Sequence, residues 1–395
     1  MLCAANASAI SGGTVYVCNY GDDTVSAVSL DTLTVAKTIP VGTGPGFVIV
    51  TPDGTKAYVA NRVGNSISVI RTSTDIVVAT IPVGVQPMQI AVSRDSRRVY
   101  VANRGSATIS MIDTSSDTVI TNVPTVHSGP TTLAFHPVRD ELWIGYNSGL
   151  GGGGTIEARS ATDLSVLAST SSTWAYYASA DLAFLSDGSE VFGAEGCGWC
   201  GRYNRIVGSY SDGSIPIIGG PIGEDNKGAA LAVAVNPVNN LAYFAKLGQN
   251  GGPNKIMEYQ GHPTPGFGRT LTFSAPPADL VVTPDGSSIF VANQATSGFI
   301  TIVDTASFTT VATVNVGNQP MGIAIKTAPS LRINMYAGLT ITGSVGDTCT
   351  VQCTTSLPST NWQPLATFTL PTSPYLYVDT NSVAYPNRFY RVISP

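Results

Sequence analysis

Charge is scarce in this chain of 395 residues: 11% are Asp, Glu, Lys or Arg, against about 25% in an average soluble domain. Twenty basic and 25 acidic residues leave a net charge of −5. With no Lys/Arg cluster, the basic footprint that a nucleic-acid partner requires is missing. No apolar run reaches the ~18–20 residues that cross a bilayer, which excludes a helical membrane span. Histidine is rarer still, with His127, His136 and His262 the only three. No two of them have metal-ligand spacing, and no Cys-x-x-Cys-His haem motif occurs. His136 lies beside a strand turn and His127 in a longer connection, which places them on opposite rims of the fold argued below. On this inventory the sequence offers no catalytic set, no cofactor site and no metal site, and the expectation is a protein that is not an enzyme. The N-terminal stretch "MLCAANASAISGG" lacks the basic and long apolar regions of an intact signal peptide. An export signal is then either missing from the sequence or removed.

What the chain has in plenty is glycine (41), proline (25) and hydrophobic residues (43%). That mixture, with Ser, Thr and Asn in place of Lys and Glu, fits a β-rich, turn-rich protein that is extracellular or at the cell surface. Six cysteines in a low-charge chain favour an oxidising compartment. A cytosolic protein with free thiols stands as the alternative. The length permits a sizeable core in two or three domains, or a long all-β unit.

One phrase recurs: "TVYVCNYGDDTVSAV" (14–28), "KAYVANRVGNSISVI" (56–70), "RVYVANRGSATISMI" (98–112) and "SIFVANQATSGFITIV" (288–303). The aromatic that opens each copy, with its degenerate counterparts, is Tyr16, Tyr58, Tyr100, Trp143, Phe192, Tyr243 and Phe290, at spacings of 42, 42, 43, 49, 51 and 47. A period near 40–45 residues with alternating apolar positions predicts four-stranded propeller blades, and seven phrases predict seven of them. Pro52-Asp53-Gly54, Ser186-Asp187-Gly188 and Pro284-Asp285-Gly286 read as tight turns. Within one repeat the strands are A ("MQIAVS", 88–93), B ("RVYVAN", 98–103), C ("TISMID", 108–113) and D ("TVITNVP", 118–124). The first repeat begins at strand B, so "MGIAIKT" (321–327) must supply its strand A and close the ring. The expected domains are an arm at 1–13, a propeller at 14–328 and a small β-sandwich at 329–395, Ig-like or fibronectin-like in size, with six short strands beginning at "LRINMY" (331–336).

The motif "YVAN…SVI…T…VVATIPVG…P…IAVS" resembles the YVTN family of β-propeller repeats, found in surface-layer and other secreted prokaryotic proteins. The likeness is strong in repeats 1–3 and 7 and covers roughly residues 14–327. It implies a propeller and an extracellular setting more firmly than any activity. Relatives of haem-binding and lactonase enzymes share such repeats, yet no recognisable catalytic residues accompany the resemblance. The segment "STNWQPLATFTLPTSPYLYVDTNSVAYPNRFYRV" is similar to a C-terminal module of secreted proteins from environmental bacteria.

Candidate sites lie in the connections. Extra residues of repeats 4–6 fall at 145–155, 171–180, 194–205, 219–229 and 246–255, in loops that emerge on one face. They carry Trp174, Tyr176, Tyr177, Trp199, Arg202 and Tyr203, with Glu224, Asp225 and Lys227 nearby. This is a set suited to a glycan or protein contact, or to covering the degenerate blades. The run "GLGGGGT" (149–155) lacks the Lys-Ser/Thr and the strand-to-helix context of a phosphate loop and is a hairpin connection. Cys197 and Cys200 read as a small structural disulfide. Cys349 and Cys353, four residues apart on one strand, stand ~13 Å apart and cannot pair with each other without a bend. Bridges from Cys3 and Cys18 to this pair, or a Cys3–Cys18 bridge with the other two free, are both open. Asn6–Ser8 matches a glycosylation acceptor. Finally, Leu2 and Cys3 belong to an apolar arm with no place in the ring. Donated as a strand to a neighbouring subunit, it would assemble the protein head-to-tail into a fibre or surface array. That structural, self-assembling homopolymer is the principal expectation, with a glycan- or protein-binding propeller and a lactonase- or lyase-like enzyme as alternatives.

Overall fold

A computed structural model describes residues 13–146, 155–170, 179–195, 203–207, 215, 229–248, 252–260, 266–326, 337–341, 346–355, 361–369, 371, 375–379 and 388–393. The chain divides into two compact units, Met1–Ala328 and Pro329–Pro395. Among the described residues there are 32 strands, numbered β1 to β32 in chain order, and no helix long and apolar enough to cross a membrane.

The first unit is a seven-bladed propeller, as the repeat predicts. Blade 3 shows the plan, with β8 (Pro87–Val92), β9 (Arg98–Asn103), β10 (Thr108–Asp113) and β11 (Thr118–Pro124) in antiparallel order from axis to rim. Six blades show four strands, and blade 5 shows three among the described residues. Blade 1 is built from both ends of the propeller. β27 (Pro320–Lys326) pairs antiparallel with β1 (Thr14–Asn19), Thr14 opposite Lys326 and Val17 opposite Ile323. Ring closure thus removes the open edges that a linear stack of sheets would leave at its two ends. The core runs between blades. Val15, Val17 and Val28 of blade 1 pack with Phe290, Ile300 and Ile302 of blade 7, while Tyr58, Val69 and Ile81 of blade 2 pack with Ile90, Val99 and Ile112 of blade 3.

The repeated phrase has a physical reason. Its asparagine closes its own hairpin: Asn61 Nδ2 donates to Ser66 and Ser68 Oγ, each at 3.0 Å, and Asn103 Nδ2 to Thr108 Oγ1 at 3.1 Å and Ser110 Oγ at 2.8 Å. In blades 2 and 3 the tyrosine ties the blade to the next one: Tyr58 Oη donates to Asp117 Oδ1 at 2.8 Å, and Tyr100 Oη to the Ala161 carbonyl at 2.5 Å. Buried hydroxyl and amide groups need such partners, so the two polar residues persist inside an otherwise apolar strand. The glycines of the three tight turns take φ of +69° at Gly54, +72° at Gly188 and +70° at Gly286, where a Cβ would be strained.

The second unit holds two sheets. One pairs β28 (Ala337–Ile341) with β31 (Tyr375–Asp379); the other orders β30 (Gln363–Thr369), β29 (Thr348–Thr354) and β32 (Phe389–Ile393). Ile341, Cys349 and Val351 form a small core with Leu365, Phe368 and Tyr377. The Arg388–Asp379 ion pair at 2.9 Å and the Tyr390 hydroxyl donating to Asp379 at 2.9 Å tie the sheets together. Five strands are described here; the expected strand at 331–336 lies outside the described residues.

The cysteines correct an expectation. Cys18, Cys349 and Cys353 are buried free thiols, so no bridge within the chain joins them. Cys349 and Cys353 both point inward from β29, as the spacing argument required. Cys18 is enclosed with Tyr16, Val25 and Ala27 in the core of blade 1.

Candidate active site at the mouth of the central channel

The seven innermost strands surround the propeller axis. They are β27, β8, β4 (Pro45–Val50), β12 (Pro130–Phe135), β16 (Ser179–Phe184), β19 (Ala230–Val235) and β23 (Pro277–Val282). Each loses register with its neighbour within its first few residues, as between Pro45 and Phe47, Ser179 and Asp181, and Pro277 and Asp279. A bulge of this kind leaves one residue unpaired and re-aims it. The bulged residues Gly46, Met88, Thr131, Ala180, Leu231, Ala278 and Met321 come together around the mouth of a cavity of about 260 Å³.

The residue after each bulge decides the chemistry. In β8, β16 and β23 it is Gln89, Asp181 or Asp279, polar groups in otherwise apolar strands. The inner edge of every blade has no partner strand, so its N–H groups face the channel and need acceptors. Asp181 Oδ1 accepts from Leu182 N at 2.9 Å and from Gln89 Nε2 at 2.7 Å, and Oδ2 accepts from Val233 N of the next blade at 2.9 Å. Asp279 does the same, accepting from Leu280 N at 2.8 Å and from Ile323 N across the ring closure at 3.0 Å. Gln89 Oε1 accepts from Leu133 N at 2.8 Å.

These carboxyls are half-buried at the surface yet enclosed by protein, and that enclosure sets their protonation. Burial pushes Asp181 up to about 6, against the three hydrogen bonds that favour its charge. Burial and the neighbouring Asp181 together push Asp279 up to about 8. Asp279 thus holds its proton to a higher pH than Asp181 does. Arg62 and Arg104, which follow strands β5 (Lys56–Asn61) and β9, line the same mouth, as does Gln294. Burial lowers the Arg62 guanidinium from its ordinary range, though arginine stays charged in proteins. Beneath the ring the channel widens to a space of about 390 Å³ walled by inner-strand residues such as Val50, Val92, Phe135 and Ile325.

No group of three or more His, Cys, Asp or Glu among the described residues is placed to hold a metal ion. His136 is buried between Trp143 and Phe184, and its Nδ1 accepts from Val138 N at 3.1 Å and Arg139 N at 3.0 Å. It fixes the strand turn. His127 packs edge-on against Tyr146. Burial, with Asp279 adding to it, pushes the Cys18 thiol up and keeps it inert.

Trp174, Tyr176, Tyr177, Trp199 and Arg202, the Cys197–Cys200 pair, Leu2, Cys3, Asn6 and His262 lie outside the described residues, and Tyr203 begins β18 (Tyr203–Val207). The sequence reading missed Asp181 and Asp279. The signal was present: aligning the inner strands on their bulges sets "SAD" (179–181) and "PAD" (277–279) against "PGF" (45–47) and "PMG" (320–322), exposing two acids at one apolar position.

Residues 11–135 match the family model described as lactonase, 7-bladed beta-propeller. No curated protein matches the chain. Among solved structures, a functionally unknown protein from Desulfotomaculum acetoxidans aligns with a TM-score of 0.66 at 13% identity, covering 80% of this chain and 99% of that one. Hydrazine synthase of Kuenenia stuttgartiensis aligns with a TM-score of 0.62 at 15% identity, over 72% of this chain and 91% of its own. The dihydro-heme d1 dehydrogenase NirN, solved in complex with DHE, aligns with a TM-score of 0.54 at 14% identity, over 78% and 74%. At such identities the structural likeness shows the fold, a β-propeller. The match to a lactonase family model overturns the expectation that the chain is not an enzyme.

Proposed function

We propose that the chain is a propeller hydrolase that opens a small lactone at the mouth of the central channel. The observation that carries this reading is a pair of enclosed carboxyls, Asp181 and Asp279, lining one cavity, both pushed up by burial and Asp279 further by Asp181. Two titratable groups driven apart by their surroundings serve as base and acid at neutral pH. Ionised Asp181 takes a proton from water as the water oxygen bonds to the lactone carbonyl carbon. The tetrahedral intermediate collapses with cleavage of the ring C–O bond, and Asp279 gives its proton to the departing alkoxide. Lactone and water become one hydroxy acid, and proton exchange with solvent returns the proton from Asp181 to Asp279 for the next turnover. Arg62 and Arg104 supply positive charge at the rim, where the carbonyl oxygen becomes negative.

The lactonase family match supports this alternative over the self-assembling structural role. The YVTN-like phrase and the low charge keep an extracellular setting part of the proposal. The direct test is ring opening of a panel of γ- and δ-lactones by the full chain, followed as acid release. Turnover of at least one lactone above the buffer rate is expected. Buffer rates across the whole panel would contradict the reading.

A further inference from the structure

Asp181 and Asp279 occupy the same place in two blades, since each follows the register shift that opens its inner strand. Each accepts the next N–H of its own strand, from Leu182 at 2.9 Å and from Leu280 at 2.8 Å. Each also accepts an N–H from the following blade, Val233 at 2.9 Å and Ile323 at 3.0 Å. The backbone bonds therefore give no reason for one acid to ionise before the other. The difference lies in a side chain. Gln89 Nε2 donates to Asp181 Oδ1 at 2.7 Å, and among the described residues no side chain donates to Asp279.

Gln89 can offer Asp181 only a donor. Its Oε1 accepts from Leu133 N at 2.8 Å, which fixes the amide at its other end. A flipped amide would set NH2 against the Leu133 N–H and oxygen against the carboxylate, two repulsions in place of two hydrogen bonds. Gln89 is 8% exposed, so little water is at hand to replace either bond. The same register position holds Phe47 in β4, Thr132 in β12 and Ala232 in β19, none of which carries an amide.

A donor to a carboxylate favours its charged form. The other titratable or charged groups at this mouth, among the described residues, are Asp279, Arg62 and Arg104. Charge on Asp181 pushes Asp279 up, while Arg62 pulls Asp279 down. Holding the charge on Asp181 thus also keeps the proton on its neighbour.

We propose that Gln89 is a positioning residue: its locked amide holds Asp181, rather than Asp279, as the base of the pair. Its action on Asp181 stands on the ring geometry, while the catalytic use of that charge rests on the lactone-opening reading.

Carbon-13 NMR of the aspartate carboxyls in the full chain tests this without any turnover, the Asp181 signal being assigned by its loss in Asp181→Asn. Gln89→Met keeps the length of the side chain and removes both hydrogen bonds. Its Asp181 midpoint is expected to rise by about one pH unit or more, the effect of a lost hydrogen bond to a charged group. Gln89→Glu keeps an oxygen to cap Leu133 and replaces the donor by an acceptor, so its rise is larger still. An unchanged midpoint in folded Gln89→Met means that Gln89 only caps Leu133, and it overturns the proposal. An unmoved or lowered midpoint in Gln89→Glu does the same. Where a lactone is turned over, the acid limb of its kcat/KM profile moves up with the midpoint in Gln89→Met. A moved midpoint with an unmoved limb sustains the action of Gln89 and removes Asp181 as the base. A bell-shaped profile with an unmoved midpoint leaves the hydrolase reading in place and overturns the role of Gln89.

Discussion

Asp181→Asn lowers kcat/KM for lactone opening by roughly 10²–10⁴, the usual contribution of a positioned general base. The argument is specific to this carboxylate. Among the described residues its two oxygens accept three hydrogen bonds from blades 3, 5 and 6, which hold it in one orientation at the channel mouth. Asparagine keeps one acceptor oxygen for Leu182 and Gln89 but turns an NH2 toward the Val233 N–H. Fold stability falls by about 1–3 kcal/mol, the cost of one buried donor left without an acceptor. The loss is expected in kcat, with KM little changed, because the base acts on water rather than on substrate. Activity retained within about threefold in a folded variant places the base elsewhere.

Raising the pH destabilises the propeller between about pH 4 and about pH 8. Asp279 titrates near 8 when folded and near ~3.9 when unfolded. Between those values the folded state binds the extra proton, so stability is fully present below the unfolded value and is lost as the pH rises through the folded one. One proton gives a slope of at most about 1.4 kcal/mol per pH unit. Asp181, near 6 when folded, adds to the slope in the lower half of that window. Denaturant midpoints across the range are expected to fall for the wild type, and the upper half of the fall disappears in Asp279→Asn. Parallel curves for the two proteins would mean that Asp279 does not hold a proton at neutral pH.

Much of the fold was legible because the determinants are local. The spacing of Tyr16, Tyr58 and Tyr100 and the recurring asparagine set strand pairs whose bounds in blade 3 agree with the sequence reading to within a residue. The missing strand A at the start identified β27 as the closing strand. The site was not legible in the same way. Asp181 and Asp279 lie 98 residues apart, and only closure of the ring brings them to one cavity. Asp181 also sits in blade 5, where the phrase is degenerate. Aromatic-rich loops drew attention because exposed aromatics mark contact surfaces in general. A lone acid in an apolar strand looks like a defect until the empty inner edge beside it is seen. The cysteines show a related limit: composition pointed to bridges, while burial of Cys18 in β1 and of Cys349 and Cys353 in β29 leaves all three as thiols within the chain.

The dependence of kcat/KM on pH, measured on the best lactone of the panel, tests the central claim that Asp181 and Asp279 are base and acid. The profile is expected to be a bell, rising through about 6 as Asp181 ionises and falling through about 8 as Asp279 loses its proton. Asp279→Asn should lower the maximum and erase the alkaline limb. A profile without these two limbs, or an alkaline limb that survives in Asp279→Asn, contradicts the account.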